Sequence, residues 1–340
     1  MLWRETAQDP ALRHRAFAGL RRFQTARRRA DPAPPTEVAR VGRAALLTRN
    51  SGAQGAKDRA PIILIPSLIN PPHVLDLTEN RSLLRFLLRE GHEAYLLDWG
   101  TPTTADRDSD LADHVDGLLL PLARTLGRPP LLVGYCLGGT LAIGAAVRSA
   151  ALDAPVRGLA TIAAPWDFAQ YDDAFRTRIA ETWTQSRTLC ERLGLVPMEV
   201  FQTGFWSLDP ERTIRKYANF GEIESDTPAW HGFIALEDWA NEGAPLTLAS
   251  GRDLAMACYE TNMTGSGQWS IGGTRVDLAA LDCPTLAVAS TTDRIVPAAA
   301  TPPADERVDL ALGHVGMMIG GRAEAALWRG LSDWLSRHGG

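Results

Sequence analysis

Cysteine is scarce and scattered in this sequence. The four residues, Cys136, Cys190, Cys258 and Cys283, form no Cys-x-x-Cys pair and have no histidine at metal-ligand spacing. That argues against a structural zinc and against a disulfide framework. Long apolar runs are lacking as well: none approaches the roughly 20 residues of a bilayer-spanning helix. The opening stretch MLWRETAQDP has no signal-peptide core, so the expectation is a cytoplasmic protein without a transmembrane segment. No strong excess of one charge exists, since the formal net charge is -5, and nothing points to nucleic acid. Internal repeats are missing, and the only biased tract is proline-rich. What remains is 340 residues with 45% apolar content, enough to bury a large core.

Charge is uneven, with seven arginines between Arg13 and Arg29. Among them Leu12, Ala16, Leu20 and Phe23 recur at helical spacing, which predicts an amphipathic basic helix ending before Asp31-Pro32-Ala33-Pro34-Pro35. Such a helix packs on a core, or it docks on an anionic or amphiphilic surface or a partner helix. From Glu37 the pattern changes to short apolar runs: 44–48, 61–65, 94–97, 131–133 and 156–163. Helical stretches fall at 80–90, 111–126 and 137–148. This alternation predicts an α/β fold on a mostly parallel sheet. It stops for over a hundred residues, then resumes at 285–288 and 308–312, before a final amphipathic helix over 322–337. The expected organisation is a basic helix and linker over 1–35, core over 36–165, an inserted cap or lid over 166–280, and core again over 281–340. The cap interval carries Trp166, Trp183, Trp206, Trp230, Trp239 and Trp269, six of the ten tryptophans. They read as packing or as lid aromatics.

One string carries chemistry. Gly134-Tyr135-Cys136-Leu137-Gly138-Gly139 follows a strand and opens a helix, as a Gly-x-nucleophile-x-Gly elbow requires. The turn is tight, so side chains at Gly134 or Gly138 would collide with neighbouring backbone. A thiol at a helix N-terminus gains thiolate character. A dinucleotide fingerprint fits poorly, because Cys136 stands where the second glycine should approach a pyrophosphate. An elbow of this kind predicts the α/β-hydrolase fold, whose acid and base follow the nucleophile on loops after late strands. His314 is the histidine in such a position, and Asp293 is the acid. Asp167, after the run ending at Ala163, is the competing carboxylate, and a turn aspartate can simply cap its own loop. The amides of Leu137 and of Ile69, in the loop after the first central strand, are the expected oxyanion donors.

With these pieces in place, the chain resembles the polyhydroxyalkanoate synthases from about Glu37 onward. Similar stretches are Asn70-Pro71-Pro72-His73-Val74-Leu75-Asp76-Leu77, Leu97-Asp98-Trp99-Gly100, the elbow with Thr140, and Leu236-Glu237-Asp238-Trp239. Gly272-Gly273-Thr274-Arg275-Val276-Asp277-Leu278 and the Asp293 and His314 loops complete the likeness. The resemblance implies an acyltransferase on hydroxyacyl-CoA thioesters, with Cys136 carrying the acyl chain, His314 activating the thiol and Asp293 assisting. It implies no metal or cofactor, coenzyme A thioester as substrate, a polymer granule surface, and a partner synthase subunit or a homodimer. The long N-terminal domain of the larger synthases is missing, while the elbow looks like theirs. Two other readings stay open. The elbow string also resembles that of dienelactone hydrolases, so the same triad would serve lactone, ester or thioester hydrolysis. A catalytically silent granule scaffold would use the basic helix and aromatic cap.

Overall fold

The computed structural model describes residues 2–28, 33–49, 59–200 and 210–340. Contacts divide the chain into two units, Met1–Pro34 with Glu199–Gly243, and Pro35–Met198 with Ala244–Gly340.

The larger unit is built on eight strands: β1 (Thr36–Val41), β2 (Ala44–Thr48), β3 (Ile62–Ile65), β4 (Ala94–Asp98), β5 (Leu131–Tyr135), β6 (Gly158–Ile162), β7 (Thr285–Ser290) and β8 (Glu306–Leu310). Their order is β1-β2-β4-β3-β5-β6-β7-β8. The pairs β1/β2 and β2/β4 are antiparallel, and every pair from β4 to β8 is parallel. Parallel strands need helices on both faces, which is why Ile62-Ile63-Leu64-Ile65 is apolar throughout and fully buried. At the far edge, β8 is mostly exposed and carries Glu306, Arg307 and Asp309, charges that discourage edge pairing. That polarity explains why the apolar run at 308–312 marks the strand two residues late, and why β1, also exposed, carries no apolar run.

Helices supply the crossovers. Leu83–Arg89 starts where Ser82 Oγ accepts the Arg85 N–H at 2.9 Å. Helical turns over 111–125 contain a π segment at His114–Leu119. Leu137–Ala150 runs directly from the end of β5 and is buried almost throughout. Its small residues allow close packing: a Cβ at Gly144 would lie 2.6 Å from Ile271 Cδ1. The chain ends on turns Glu324–Trp328 and helix Arg329–Gly339.

Among the described residues no strand of this sheet comes from between Ile162 and Thr285. The interval opens with helix Asp173–Leu193, stopped by Gly194 at φ +71°, the left-handed C-cap that glycine favours. Leu195–Val196 then pairs with Leu246–Thr247, closing the excursion between them. Helical turns over 248–260 and the hairpin Ser270–Ile271/Thr274–Arg275 follow. The expected cap interval 166–280 therefore contains two kinds of chain. Its flanks belong to the larger unit, and 199–243 groups with the N-terminal residues.

In the smaller unit, helix Pro10–Thr25 is capped by Asp9, whose carboxylate accepts the Leu12 N–H at 2.8 Å. Its apolar stripe packs on helices Pro210–Phe220 and Pro228–Asn241 through Ala16, Ile214 and Ala218, and through Phe23, Tyr217, Phe220, Trp230 and Ile234. The helices meet so closely that a Cβ at Gly19 would sit 1.8 Å from the Tyr217 carbonyl oxygen. Arg22 donates to the Gly221 carbonyl at 2.7 Å and lies 4.4 Å over the Trp230 ring. The five described tryptophans of the interval are all buried; Trp206, Arg29 and the start of the linker, Asp31-Pro32, lie outside the described residues. No helix among the described residues is long and apolar enough to cross a membrane, and none of their side chains cluster as a metal site.

Candidate active site

The site assembles beyond the carboxyl ends of β5, β7 and β8. Cys136 ends β5 at φ 55°, ψ −133°, a conformation a β-carbon resists,. Its N–H donates to the Ile162 carbonyl at 2.9 Å and its carbonyl accepts the Gly139 N–H at 2.8 Å, so neighbouring elements hold the turn. The three elbow glycines are needed sterically. A Cβ at Gly134 would lie 2.4 Å from Gly139 Cα, one at Gly138 2.2 Å from the Ile65 carbonyl oxygen, and one at Gly139 2.4 Å from Ala164 Cβ. Cys136 thus sits, partly exposed, at the N-terminus of the 14-residue helix Leu137–Ala150.

The structure brings His314 and Asp293 to this point. Asp293 follows β7, and one carboxylate oxygen accepts the Ile295 and Val296 N–H groups at 2.7 and 3.1 Å. The other oxygen, with the side chain fully buried, accepts His314 Nδ1–H at 2.6 Å. A carboxylate only accepts, so Nδ1 carries a proton. The second ring nitrogen is left free by Asp293, and Cys136 is close enough to weigh on the charge of the imidazole. The two loops are tied by the Ser290 hydroxyl, which donates to the Leu312 carbonyl, and by Thr291 N–H to Leu310 O at 2.9 Å.

Electrostatics follow from this packing. Burial, the largest single influence on His314, pulls its pKa down; the Cys136 sulfur and the Asp293 carboxylate together outweigh it and raise the imidazole to about 10,. Tyr135, buried beneath with its ring 5.0 Å from that of His314, is raised well above 10 by burial first and then by Cys136 and Asp293. Its hydroxyl donates to the His314 carbonyl at 3.4 Å. Nothing in its sequence position beyond the elbow string marked this role.

Other candidates are placed elsewhere. Asp167 spends both oxygens locally, on Ala169 N–H at 3.2 Å, Asn262 Nδ2 at 2.8 Å and Gln170 Nε2 at 2.9 Å. The Ile69 N–H donates to Ser67 Oγ at 3.2 Å, so it is engaged within its own loop. The amides of Leu137, Ser67 and Leu68 have no acceptor among the described residues. Of the remaining histidines, buried His92 meets Ser332 and buried His114 meets Asp110 and Arg43. Burial pushes the Cys190 and Cys258 thiols up, and takes Cys283 to about 11, the behaviour of inert structural thiols.

Aromatic side chains from the cap flanks cluster together, and two of them, Tyr171 and Tyr259, lie within electrostatic reach of Cys136. Phe168, Tyr171, Phe175 and Tyr259 form a continuous stack and edge cluster with centroids 4.9–5.8 Å apart. Burial, then Cys136 among nearby groups, raises the Tyr259 phenol.

The sequence profile of the Alpha/beta hydrolase family matches residues 62–326. Three similar sequences, each named poly(3-hydroxyalkanoate) polymerase subunit PhaC, come from Haloferax mediterranei, Allochromatium vinosum and a Synechocystis species. The first is 28% identical over 81% of this chain and 58% of its own length. The second is 28% identical over 86% and 85%, and the third 28% over 81% and 77%. The chain spans less than two thirds of the haloarchaeal relatives, 58% in Haloferax and 61% in Haloarcula marismortui. Among solved structures, a candidate lipase from Acinetobacter baumannii aligns with TM-score 0.52 and 12% identity, over 96% of this chain and 95% of that one; the likeness is one of fold. The order of the eight strands and the profile across the core agree: the chain belongs to the alpha/beta hydrolase family, and its sequence is similar to those of poly(3-hydroxyalkanoate) polymerase subunits.

Proposed function

We propose that the chain is an acyltransferase that takes hydroxyacyl groups from coenzyme A onto Cys136 and passes them to a hydroxyl acceptor, extending a polyhydroxyalkanoate. The observation that carries this reading is the buried Asp293–His314 hydrogen bond of 2.6 Å, with the imidazole within electrostatic reach of the elbow Cys136. A thiol is the fitting nucleophile, because exchange between two thioesters is nearly balanced in energy and preserves an activated acyl group.

The steps follow from the side chains. His314 holds the thiol proton, so the Cys136 sulfur attacks the thioester carbonyl carbon and forms a new carbon–sulfur bond. The carbonyl electrons move to oxygen, where the Leu137 amide and an amide of the 67–69 loop stabilise the oxyanion. Collapse expels the coenzyme A sulfur, which takes the proton from His314. The hydroxyl of a second hydroxyacyl group then gives its proton to His314 and attacks the acyl carbon, and the Cys136 sulfur leaves. Asp293 keeps the ring in one tautomer and balances its charge throughout. The aromatic cluster of Phe168, Tyr171, Phe175 and Tyr259 serves to exclude water and favour transfer over hydrolysis.

In this reading the polymer granule surface and a partner synthase subunit are the protein's associations. The decisive test is purified chain with 3-hydroxybutyryl-CoA, following free coenzyme A and polymer together. Coenzyme A release with growing polymer is the expected result. Release matched by free 3-hydroxybutyrate would make the chain a thioesterase, and no release at all would reject the reading.

A further inference from the structure

The Tyr171 hydroxyl is buried, with the residue 5% exposed, and it has no hydrogen-bond partner among the described residues. Such groups are rare, and each one calls for an acceptor. Its ring is fixed, stacked on Phe168 at 5.6 Å and Phe175 at 5.8 Å and edge-on to Tyr259 at 5.1 Å. The hydroxyl cannot therefore swing to a new partner without breaking the stack. Tyr259 is close enough for its phenol to weigh on Tyr171, but the two hydroxyls miss hydrogen-bond geometry, and geometry decides whether a donor is satisfied,. The Tyr171 phenol also lies within electrostatic reach of Cys136 and Asp293, after burial as the main cause of its raised pKa. A buried donor without a partner is thus held within electrostatic reach of the sulfur that would carry an acyl group.

We propose that Tyr171 is a specificity-determining residue whose hydroxyl donates a hydrogen bond to the oxygen on the third carbon of the acyl group bound to Cys136. The idea rests on the acyltransfer reading and adds to it the basis for preferring hydroxyacyl over plain acyl thioesters. An acyl chain bearing that oxygen satisfies the phenol, whereas a hydrocarbon chain of the same length leaves it buried and unpaired. A site that hydrogen-bonds a substrate oxygen rejects analogues lacking it far more strongly than an apolar pocket rejects a size change. Of the other walls, Phe168 and Phe175 carry no polar atom, and Tyr259 brings only its own hydroxyl.

The test compares 3-hydroxybutyryl-CoA with butyryl-CoA in acylating Cys136, in the parent chain and in Tyr171→Phe, which keeps the ring stack. The parent should favour the hydroxylated thioester. Tyr171→Phe should lose about tenfold in kcat/KM on that substrate and less than twofold on butyryl-CoA. A thermal melt is the second readout: removing an unpaired buried hydroxyl should leave Tm unchanged or higher, whereas a fall would show the hydroxyl already satisfied by protein and overturn the inference. Equal losses on both substrates, or none on either, would also overturn it. No acylation by either thioester in the parent chain would reject the acyltransfer reading and this inference with it.

Discussion

Two carboxylates stand at the ends of adjacent strands, and they have different work. Asp167 follows β6 and Asp293 follows β7, each in a turn where an aspartate accepts nearby N–H groups. Asp167 divides its oxygens among Ala169, Gln170 and Asn262. Asp293 satisfies two amides with one oxygen and keeps the other for His314. Asp293 is distinguished by an oxygen left over after its own loop is capped, on a side chain closed to solvent.

The sharpest way to break this contrast is to neutralise each acid in turn. Asp293→Asn should slow acylation of Cys136 on the order of a thousandfold, through the wrong imidazole tautomer, while Asp167→Asn should stay within about threefold of the parent. Stopped-flow release of coenzyme A distinguishes the two, and similar losses would remove the contrast.

Next in size is the elbow that both loops serve. Gly138→Ala places a Cβ 2.2 Å from the Ile65 carbonyl oxygen, and should cost about 3 kcal/mol or more in urea unfolding together with activity. A near-neutral result would mean the turn is looser than its packing.

A third test uses pH. The folded pKa of His314 is raised from 6.5 to about 10. A raised value means its contribution to stability is complete below 6.5 and is lost as pH rises through about 10. The urea midpoint of the parent should therefore fall relative to His314→Gln between pH 7 and pH 10.5. A constant difference would show that Asp293 and Cys136 do not hold the imidazolium. The smallest effect belongs to the Asp167 side: Asn262→Ala removes bonds to Asp167 and to the Phe168 N–H. It should cost about 1 kcal/mol by thermal melt, with acylation rate unchanged.

How much of this was legible in the sequence depended on where chemistry sits relative to pattern. Cys136 and Asp293 each lie just beyond an apolar strand, and His314 just beyond the last strand of the sheet, so strand ends point to them. The order of acid before histidine favours Asp293 over Asp167, but the physical distinction, which oxygen remains free, depends on Asn262 some ninety residues away and is not legible. The Ile69 amide carries no side-chain signal, and its bond to Ser67 Oγ emerges only in the folded loop. Edge strands β1 and β8 escaped or slipped because exposed strands carry charges in place of an apolar run. The smaller unit depends on Phe23 meeting Tyr217 and Phe233; helical periodicity gives the stripe on Pro10–Thr25 but cannot name the partner. Tyr171 has no spacing signal at all, and only its unmatched hydroxyl draws attention to it.

The central claim is that Cys136 carries the acyl group, and intact mass measures it most directly. Brief exposure of the parent chain to 3-hydroxybutyryl-CoA should add one or more hydroxyacyl units, all on the peptide containing Cys136, and Cys136→Ala should remain unmodified while still melting cooperatively. An adduct that persists in Cys136→Ala, or coenzyme A release at the parental rate by that variant, would contradict the account.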